Sequence, residues 1–523
     1  MEKNKDRLGL IYLLIDVFIT LVFILGFIFI GKNNIINLYI SNSNWNVTFV
    51  PYIIIFITFL ICFYKIFIDY INDNNFTQIC YLIFAFSFTI RTILCLKNIY
   101  IPTNDFKNYF EYGINLYYGN TTAVAQVIQS YKIPSMGGLA VLNKIIMEVF
   151  SPSLLGMQVS NCIMSSFSCI LLMNILKYIN VKVATLAGFL YSIYPSGIFC
   201  TIITTNVHGA NMFCLLSILI LVKLINNSFA NKYEKYLYGI IAGFCLFIAK
   251  LFHGSLAQVY IIGIFVFILF AQLQYIIKSK LIMKDAWIFV IILLISNNMF
   301  YSIGINNLYN EGIIYNKDSK PLYTTLIIGL NKESRGYYGE IPIKQLDEIM
   351  KLDEKERLSK TLEITKNNLI NTSETIKLFK DKFLGLWFDL DNYFYFGTQG
   401  KIETLQNQNK GDINSGDINV IQNLSNTFSI TDLVFINCMY VFMMVALIFR
   451  KRNNFLLIEN IFVIITFGWI IIFLLTEIQS RYRYYAMPFI ISLASIGIYN
   501  TILFIKKEFN NKIFNNVWRE KHD

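Results

Sequence analysis

The sequence predicts an all-α polytopic membrane protein with about twelve transmembrane helices and a small helical or mixed α/β domain outside the membrane. Three observations predict it. Apolar residues make up 55% of 523 positions and charged residues only 15%. Windows of roughly 20 residues, nearly free of charge, recur along the chain, and that length is what a hydrocarbon core of about 30 Å requires of a helix. The Lys- and Arg-rich gaps between these windows fall on one side when the windows are counted as spans.

In order, the windows are 8–31, 49–71, 79–98, 153–177, 182–202, 205–226, 236–252, 254–274, 286–304, 431–450, 455–475 and 482–505. The first has a basic flank but is long and is followed by more spans, so it reads as a retained helix. Segment 136–150 is too short to cross and carries Lys144 and Glu148, which suits a helix along the membrane surface or a re-entrant hairpin. Basic gaps at 3–7, 177–182, 232–235, 278–284, 450–452 and 506–521 share one side, the cytoplasm, with both termini. The other side receives 32–48, 99–152, 306–429 and 476–481. The chain thus divides into a transmembrane module, 1–305, with its first long external loop at 99–152; an external domain, 306–429; and C-terminal spans with a cytoplasmic tail, 430–523.

The external insert is too long for a structureless loop. Leu322 to Ile328 is a β-branched run between Pro321 and Gly329, which predicts a strand or extended segment. From Pro342 to about Phe388, apolar residues recur at helical spacing among Lys and Glu, which predicts two or three amphipathic helices. Residues 403–428 are rich in Asn, Gln and Gly and are expected to be mobile.

The net charge of +11 needs no nucleic acid, because it is the orienting charge of cytoplasmic loops beside anionic lipid. All nine cysteines lie in apolar segments and read as small buried hydrophobes. No Walker loop, Gly-rich dinucleotide turn, HExxH or Cys/His cluster is present, which disfavours a nucleotide-driven transporter.

Polar residues gather at the ends of spans on the external side. Asp105 follows span 79–98 directly and precedes an amphipathic stretch through Tyr109 and Tyr112. It suits either a helix cap or a general base. Arg91 lies inside the span, where a charge faces a cavity, pairs, or snorkels. Pro195 breaks span 182–202 near its outer end, and Asn206 and His208 stand at the mouth of the next. Lys250 and His253 occupy the turn between spans 236–252 and 254–274, within reach of a lipid phosphate. At the entrance of the last span stand Glu477, Arg481, Tyr482 and Arg483, a basic cluster on the side that otherwise lacks one.

Together these positions resemble the GT-C superfamily of membrane glycosyltransferases, nearest to bacterial relatives of protein O-mannosyltransferases and of the aminoarabinose transferase acting on lipid A. In that family an early span with an Arg leads to an external acidic residue and a surface helix with a Tyr, matched by Arg91, Asp105 and Tyr109. A Tyr-Pro followed by Thr-Glu is matched by Tyr194-Pro195 and Thr205-Asn206, with Asn206 at the Glu position. A late Glu-x-x-x-Arg-Tyr is matched by Glu477, Arg481 and Tyr482. The likeness runs from about 79 to 505. Asn104 stands where many members have a second acid, and the family's Glu is missing at 206. No cofactor is therefore indicated, and a divalent metal is disfavoured.

The resemblance implies a GT-C-like fold and transfer of a sugar from a polyprenyl-phosphate donor to an extracytoplasmic acceptor on a cell-surface glycan, lipid or protein. Asp105 would be the general base. Arg481 and Arg483 would hold the donor phosphate, with Lys250, His253 and Arg91 as further cations and Asn104, Tyr109, Asn206, His208, Glu477 and Tyr482 in support. One displacement would invert the anomeric centre. A flippase or exporter of lipid-linked glycan, a polymerase or ligase of the O-antigen type and a wall-assembly scaffold would share the spans and interfacial cations.

Overall fold

Several helix ends in this chain fall where charge or proline interrupts an apolar run, as at Lys97, Lys177 and Pro195. The computed structural model describes residues 11, 13–26, 70–131, 134–226, 232–277, 284–317, 323, 325–408, 415–450 and 458–519. Among the described residues every regular element is a helix. They are α1 (Leu13–Gly26), α2 (Phe76–Leu96), α3 (Asn104–Tyr117), α4 (Thr121–Tyr131), α5 (Ser135–Val149), α6 (Leu154–Leu176), α7 (Val181–Ser192), α8 (Pro195–Phe199) and α9 (Val207–Ile225). Then follow α10 (Lys232–Phe252), α11 (Gly254–Ile277), α12 (Lys284–Asn310), α13 (Thr325–Gly329), α14 (Glu340–Met350), α15 (Glu354–Leu369), α16 (Thr372–Trp387), α17 (Asn392–Gln408), α18 (Ser415–Phe449), α19 (Glu459–Leu475) and α20 (Met487–Arg519).

Among the described residues, six helices are long and apolar enough to cross a membrane: α2, α6, α9, α12, α18 and α20. A seventh window, 182–202, is the pair α7 and α8 with its turn, bent by 57°. Four more windows coincide with shorter apolar stretches, Leu13–Gly26, Tyr236–Phe252, Leu256–Gln272 and Glu459–Leu475. The window 49–71 lies almost wholly outside the described residues. Segment 136–150 is α5, a 15-residue helix packed on α3 and α10.

The bend at Pro195 explains a charge inside the bundle. In an unbroken helix the Tyr191 carbonyl would accept from residue 195, but proline has no N–H to donate. Arg91 on α2 fills the gap. Its Nη2 reaches the Tyr191 carbonyl at 3.3 Å and Nη1 the Ser192 carbonyl at 2.9 Å. Nε donates to Ser165 Oγ at 3.0 Å, and Nη1 also donates to Ser87 Oγ at 2.6 Å. The guanidinium is fully buried and each of its three nitrogens donates within the fold.

At the end of the bundle remote from the insert, Arg450 pairs with Asp16 of α1 at 3.0 Å, the two side chains only 4% and 1% exposed. Further along α1, Phe23 packs among Phe383, Trp387, Phe388 and Tyr440. Helices α18 and α20 touch backbone to backbone, since a Cβ at Gly497 would overlap the Phe442 carbonyl.

The insert is helical from α13 to α17 and, among the described residues, holds no strand. The β-branched run around residue 325 forms α13 instead. Its Ile327 and Ile328 bury against Leu346 and Ile349 of α14, and that packing outweighs strand propensity. Much of the Asn- and Gln-rich stretch is also ordered, because α17 runs to Gln408 and α18 begins at Ser415, four turns before its apolar window. Residues 409–414 lie outside the described part.

Candidate active site

Helix α19 ends at Leu475, and Thr476 leaves it in extended conformation. The chain then makes a 3₁₀ turn, Ser480–Tyr485, before α20 starts with Pro488 in its first turn. This segment carries Glu477, Arg481, Tyr482 and Arg483. A 3₁₀ turn has three residues per turn, so side chains two apart leave it in different directions. Arg481 and Arg483 part company for that reason.

Arg481 points into a ring of aromatic faces. Its Cζ lies 5.1 Å from the centroids of Phe106 and Phe396 and 5.7 Å from that of Tyr482. These are cation–π distances in a nearly dry setting, the side chain being 13% exposed. The open edge meets Asp105, with Nη2 3.9 Å from Oδ2. Asp105 itself is 53% exposed and free to turn toward solvent or a ligand.

Asp105 stands in the first turn of α3, where a carboxylate is favoured by the helix dipole. Asn104 before it has φ +50°, a left-handed backbone that Asn tolerates better than most residues. The turn is held from below. Thr204 Oγ1 donates to the Phe106 carbonyl at 2.7 Å and pairs with Tyr100 Oη at 3.0 Å. Gly400 of α17 leaves room for the Ile101 carbonyl, which a Cβ would overlap. Tyr109 continues α3 beside Phe106, ring to ring at 6.2 Å, and its carbonyl accepts from Asn143 of α5 at 2.8 Å.

Next to the Arg481 ring opens a cavity of about 520 Å³. Its wall is a run of stacked rings: Phe473 on Tyr482 at 5.9 Å, then Tyr482 on Tyr485 at 6.0 Å, with Trp469 behind. Thr325 and Leu326 of α13 close it from the insert side, and Val259 and Ile262 of α11 from the bundle. Glu477 is its carboxylate. Oε1 accepts from Gln479 Nε2 at 2.9 Å and from Tyr482 Oη at 3.3 Å, and burial raises its pKa above the usual range.

His253 also lines the cavity and meets Tyr485 Oη through Nε2 at 2.9 Å. Burial, with the Arg481 charge as a lesser cause, pushes its imidazole down to about 4. The ring is therefore neutral near pH 7. Because the folded value lies below the unfolded one of about 6.5, this contribution to stability is present above that pH and is lost on acidification toward 4. His253→Gln should shrink the drop in unfolding temperature between pH 7.5 and 5; an unchanged drop would reject this account.

The remaining candidates lie elsewhere. Arg483 is completely buried, 2.9 Å from Asp432 and 3.8 Å from Asp391, with the Leu386 and Asp389 carbonyls as further acceptors. Asp432 in turn accepts from the Ser196 N–H of α8 at 3.0 Å. Arg483 thus ties the insert and α18 to the broken span and does not face the cavity. Arg91 serves the Pro195 break. His208 is buried against Tyr484 Oη at 2.9 Å. Asn206 donates to the Phe252 carbonyl at 2.6 Å and closes the end of α10. Lys250 lies over the Tyr301 ring at 3.4 Å.

Phe106, Phe396, Tyr485 and Lys382 also shape the site or its support without standing out in the sequence. Tyr485 sits in the same Arg-Tyr-Arg-Tyr-Tyr run, so a stacking role was open to view. Phe396 belongs to the insert and carries no local signal. Lys382 does: Leu378, Lys382 and Leu386 form an i, i+4, i+8 stripe whose other members are buried. Among the described residues, no group of three or more His, Cys, Asp or Glu is close enough to hold a metal ion.

No family model matches the chain, and no curated protein matches it. Among solved structures it is similar to the apo form of an oligosaccharyltransferase from Archaeoglobus fulgidus, at 12% identity and a TM-score of 0.42. The match covers 85% of this chain and 52% of that one, so the chain spans about half the length of the archaeal protein.

Proposed function

We propose that the chain is a membrane glycosyltransferase that uses a polyprenyl-phosphate sugar and works at the end of the bundle bearing the insert, away from the cytoplasm. One observation carries this reading: Asp105 and Arg481, far apart in sequence, meet at 3.9 Å beside an apolar cavity. A lipid-linked sugar needs those three things together. Its tail needs an apolar recess, its phosphate a fixed cation, and its acceptor a base.

Asp105 takes the proton from an acceptor hydroxyl as that oxygen attacks the anomeric carbon. The bond from that carbon to the phosphate oxygen breaks with its electron pair, and lipid phosphate departs. Arg481, dry and fixed by three rings, meets the charge that grows on the leaving oxygen, where a preformed cation is worth more than in water. Attack opposite the leaving group inverts the centre, which the half-exposed Asp105 permits by turning away from Arg481 to admit the sugar between them. Tyr482 and Tyr485 offer aromatic faces to the sugar or the first isoprene units. The acceptor approaches from the exposed side of α3.

The test is to supply the protein, in a bilayer, with purified polyprenyl-phosphate sugar and surface-glycan acceptor. Time-dependent formation of free polyprenyl phosphate together with a glycosylated acceptor is the expected result. Movement of the intact donor between leaflets without cleavage of the sugar–phosphate bond would instead identify a flippase and overturn the proposal.

A further inference from the structure

Lys382 of α16 is 1% exposed, and its ammonium is surrounded by backbone. Nζ donates to the Gly329 carbonyl at 2.6 Å, the Leu474 carbonyl at 2.7 Å and the Thr476 carbonyl at 2.7 Å. Three protons meet three acceptors, so the charged form is fully used. Leu474 and Thr476 end α19, and Gly329 ends α13. Two helix C-termini, each carrying partial negative charge, therefore converge on one cation. Without it they would face each other with unpaired carbonyls.

The contact has a second fastening. A Cβ at Gly329 would overlap the Leu475 carbonyl and the Thr476 backbone, so the two chains touch directly. A few residues on, Gly336 at φ +78° presents its carbonyl to the Ile478 N–H at 3.0 Å. Thus α13, which closes the cavity, and the turn that follows it are joined at Gly329 and Gly336 to the extended segment that leads from Thr476 to Arg481.

We infer that Lys382 is a positioning residue that makes the lid α13 and the Thr476–Arg481 segment one mechanical unit, so that lifting the lid displaces Arg481. Coupling to catalysis rests on the glycosyltransferase reading; the clamp itself does not. Burial lowers the Lys382 pKa to about 7, while the nearby Glu477 carboxylate opposes that shift. Its three acceptors and that carboxylate favour the charged form against burial.

The experiment uses the full chain in nanodiscs with Cys62→Ser and a reporter thiol, Leu326→Cys, on the lid. The cysteines other than Cys62 are buried. Lys382→Met should raise the rate of maleimide labelling about tenfold by removing a charged donor from three carbonyls. Lys382→Arg, which keeps the charge, should restore much of the protection. Gly329→Ala should mimic Lys382→Met with the ammonium intact. Labelling rates unchanged in both Lys382→Met and Gly329→Ala would overturn the clamp. Should both fail to fold, hydrogen exchange on the unmodified lid decides: the Leu330 and Ile478 amides should open in one step, and independent rates would overturn it. In the transfer assay Lys382→Met should raise KM for the lipid-linked donor about tenfold and leave acceptor KM alone. Absence of turnover in the unsubstituted protein would count against the glycosyltransferase reading, while the labelling result would still judge the clamp.

Discussion

Asp105→Asn should lower sugar transfer by about 100-fold to 10,000-fold, the range a positioned general base supplies, while leaving the protein folded and its donor bound. The size of the effect follows from the chemistry: the amide keeps the shape of the carboxyl and its place on α3 but takes no proton. The silence of the fold follows from exposure. Asp105 is half open to solvent, and its ion pair with Arg481 is long, at 3.9 Å, so its loss changes stability little. Arg481→Gln should act differently. It removes the cation that meets the leaving phosphate, so KM for the donor should rise and kcat fall, with acceptor KM unchanged. Initial rates against both substrates separate the two variants. Full activity in a folded Asp105→Asn protein would end the base assignment, and an Arg481→Gln enzyme with unaltered donor dependence would remove the phosphate contact.

What the sequence made legible was the part written in hydropathy. Window 153–177 is α6, Leu154–Leu176, and window 205–226 is α9, Val207–Ile225, because a bilayer forces apolar length and helix length to agree. The meeting of Asp105 with Arg481 was legible as well, since both lie just beyond span ends assigned to one side. The Pro195 break was readable, but its consequence was not. Nothing local tells Arg91 on one span that a carbonyl on another has lost its donor, so a structural arginine looked like a ligand-binding one. In the insert, the run from Leu322 to Ile328 favours a strand on propensity alone, yet Thr325–Gly329 is helical, with Ile327 and Ile328 buried against Leu346 and Ile349. The aromatic ring around Arg481 draws Phe106 from one loop and Phe396 from the insert, a juxtaposition that no spacing rule encodes.

The two arginines of the Arg-Tyr-Arg run give the second large expectation, because sequence treats them alike and their surroundings do not. Arg483→Met should destabilise the protein by about 3–5 kcal/mol, the usual cost of removing one partner from a buried ion pair. Loss of Arg483 leaves Asp432 and Asp391 both buried with no cation between them, and frees the Leu386 and Asp389 carbonyls. Much of that cost is the stranded negative charge. The double variant Arg483→Met with Asp432→Asn should therefore recover part of the stability, whereas an unrelated pair of losses would add. Asp432→Asn alone should be milder, since Asp391 still balances the guanidinium and the amide oxygen can still accept from Ser196. Thermal unfolding in nanodiscs at constant lipid composition reads these differences. If Arg483→Met unfolds like the unsubstituted protein yet loses donor affinity, the guanidinium belongs to the phosphate site and the buried pair does not hold the insert to the bundle. If it unfolds early while the surviving folded fraction binds donor normally, the external cluster divides into one arginine for the ligand and one for the fold.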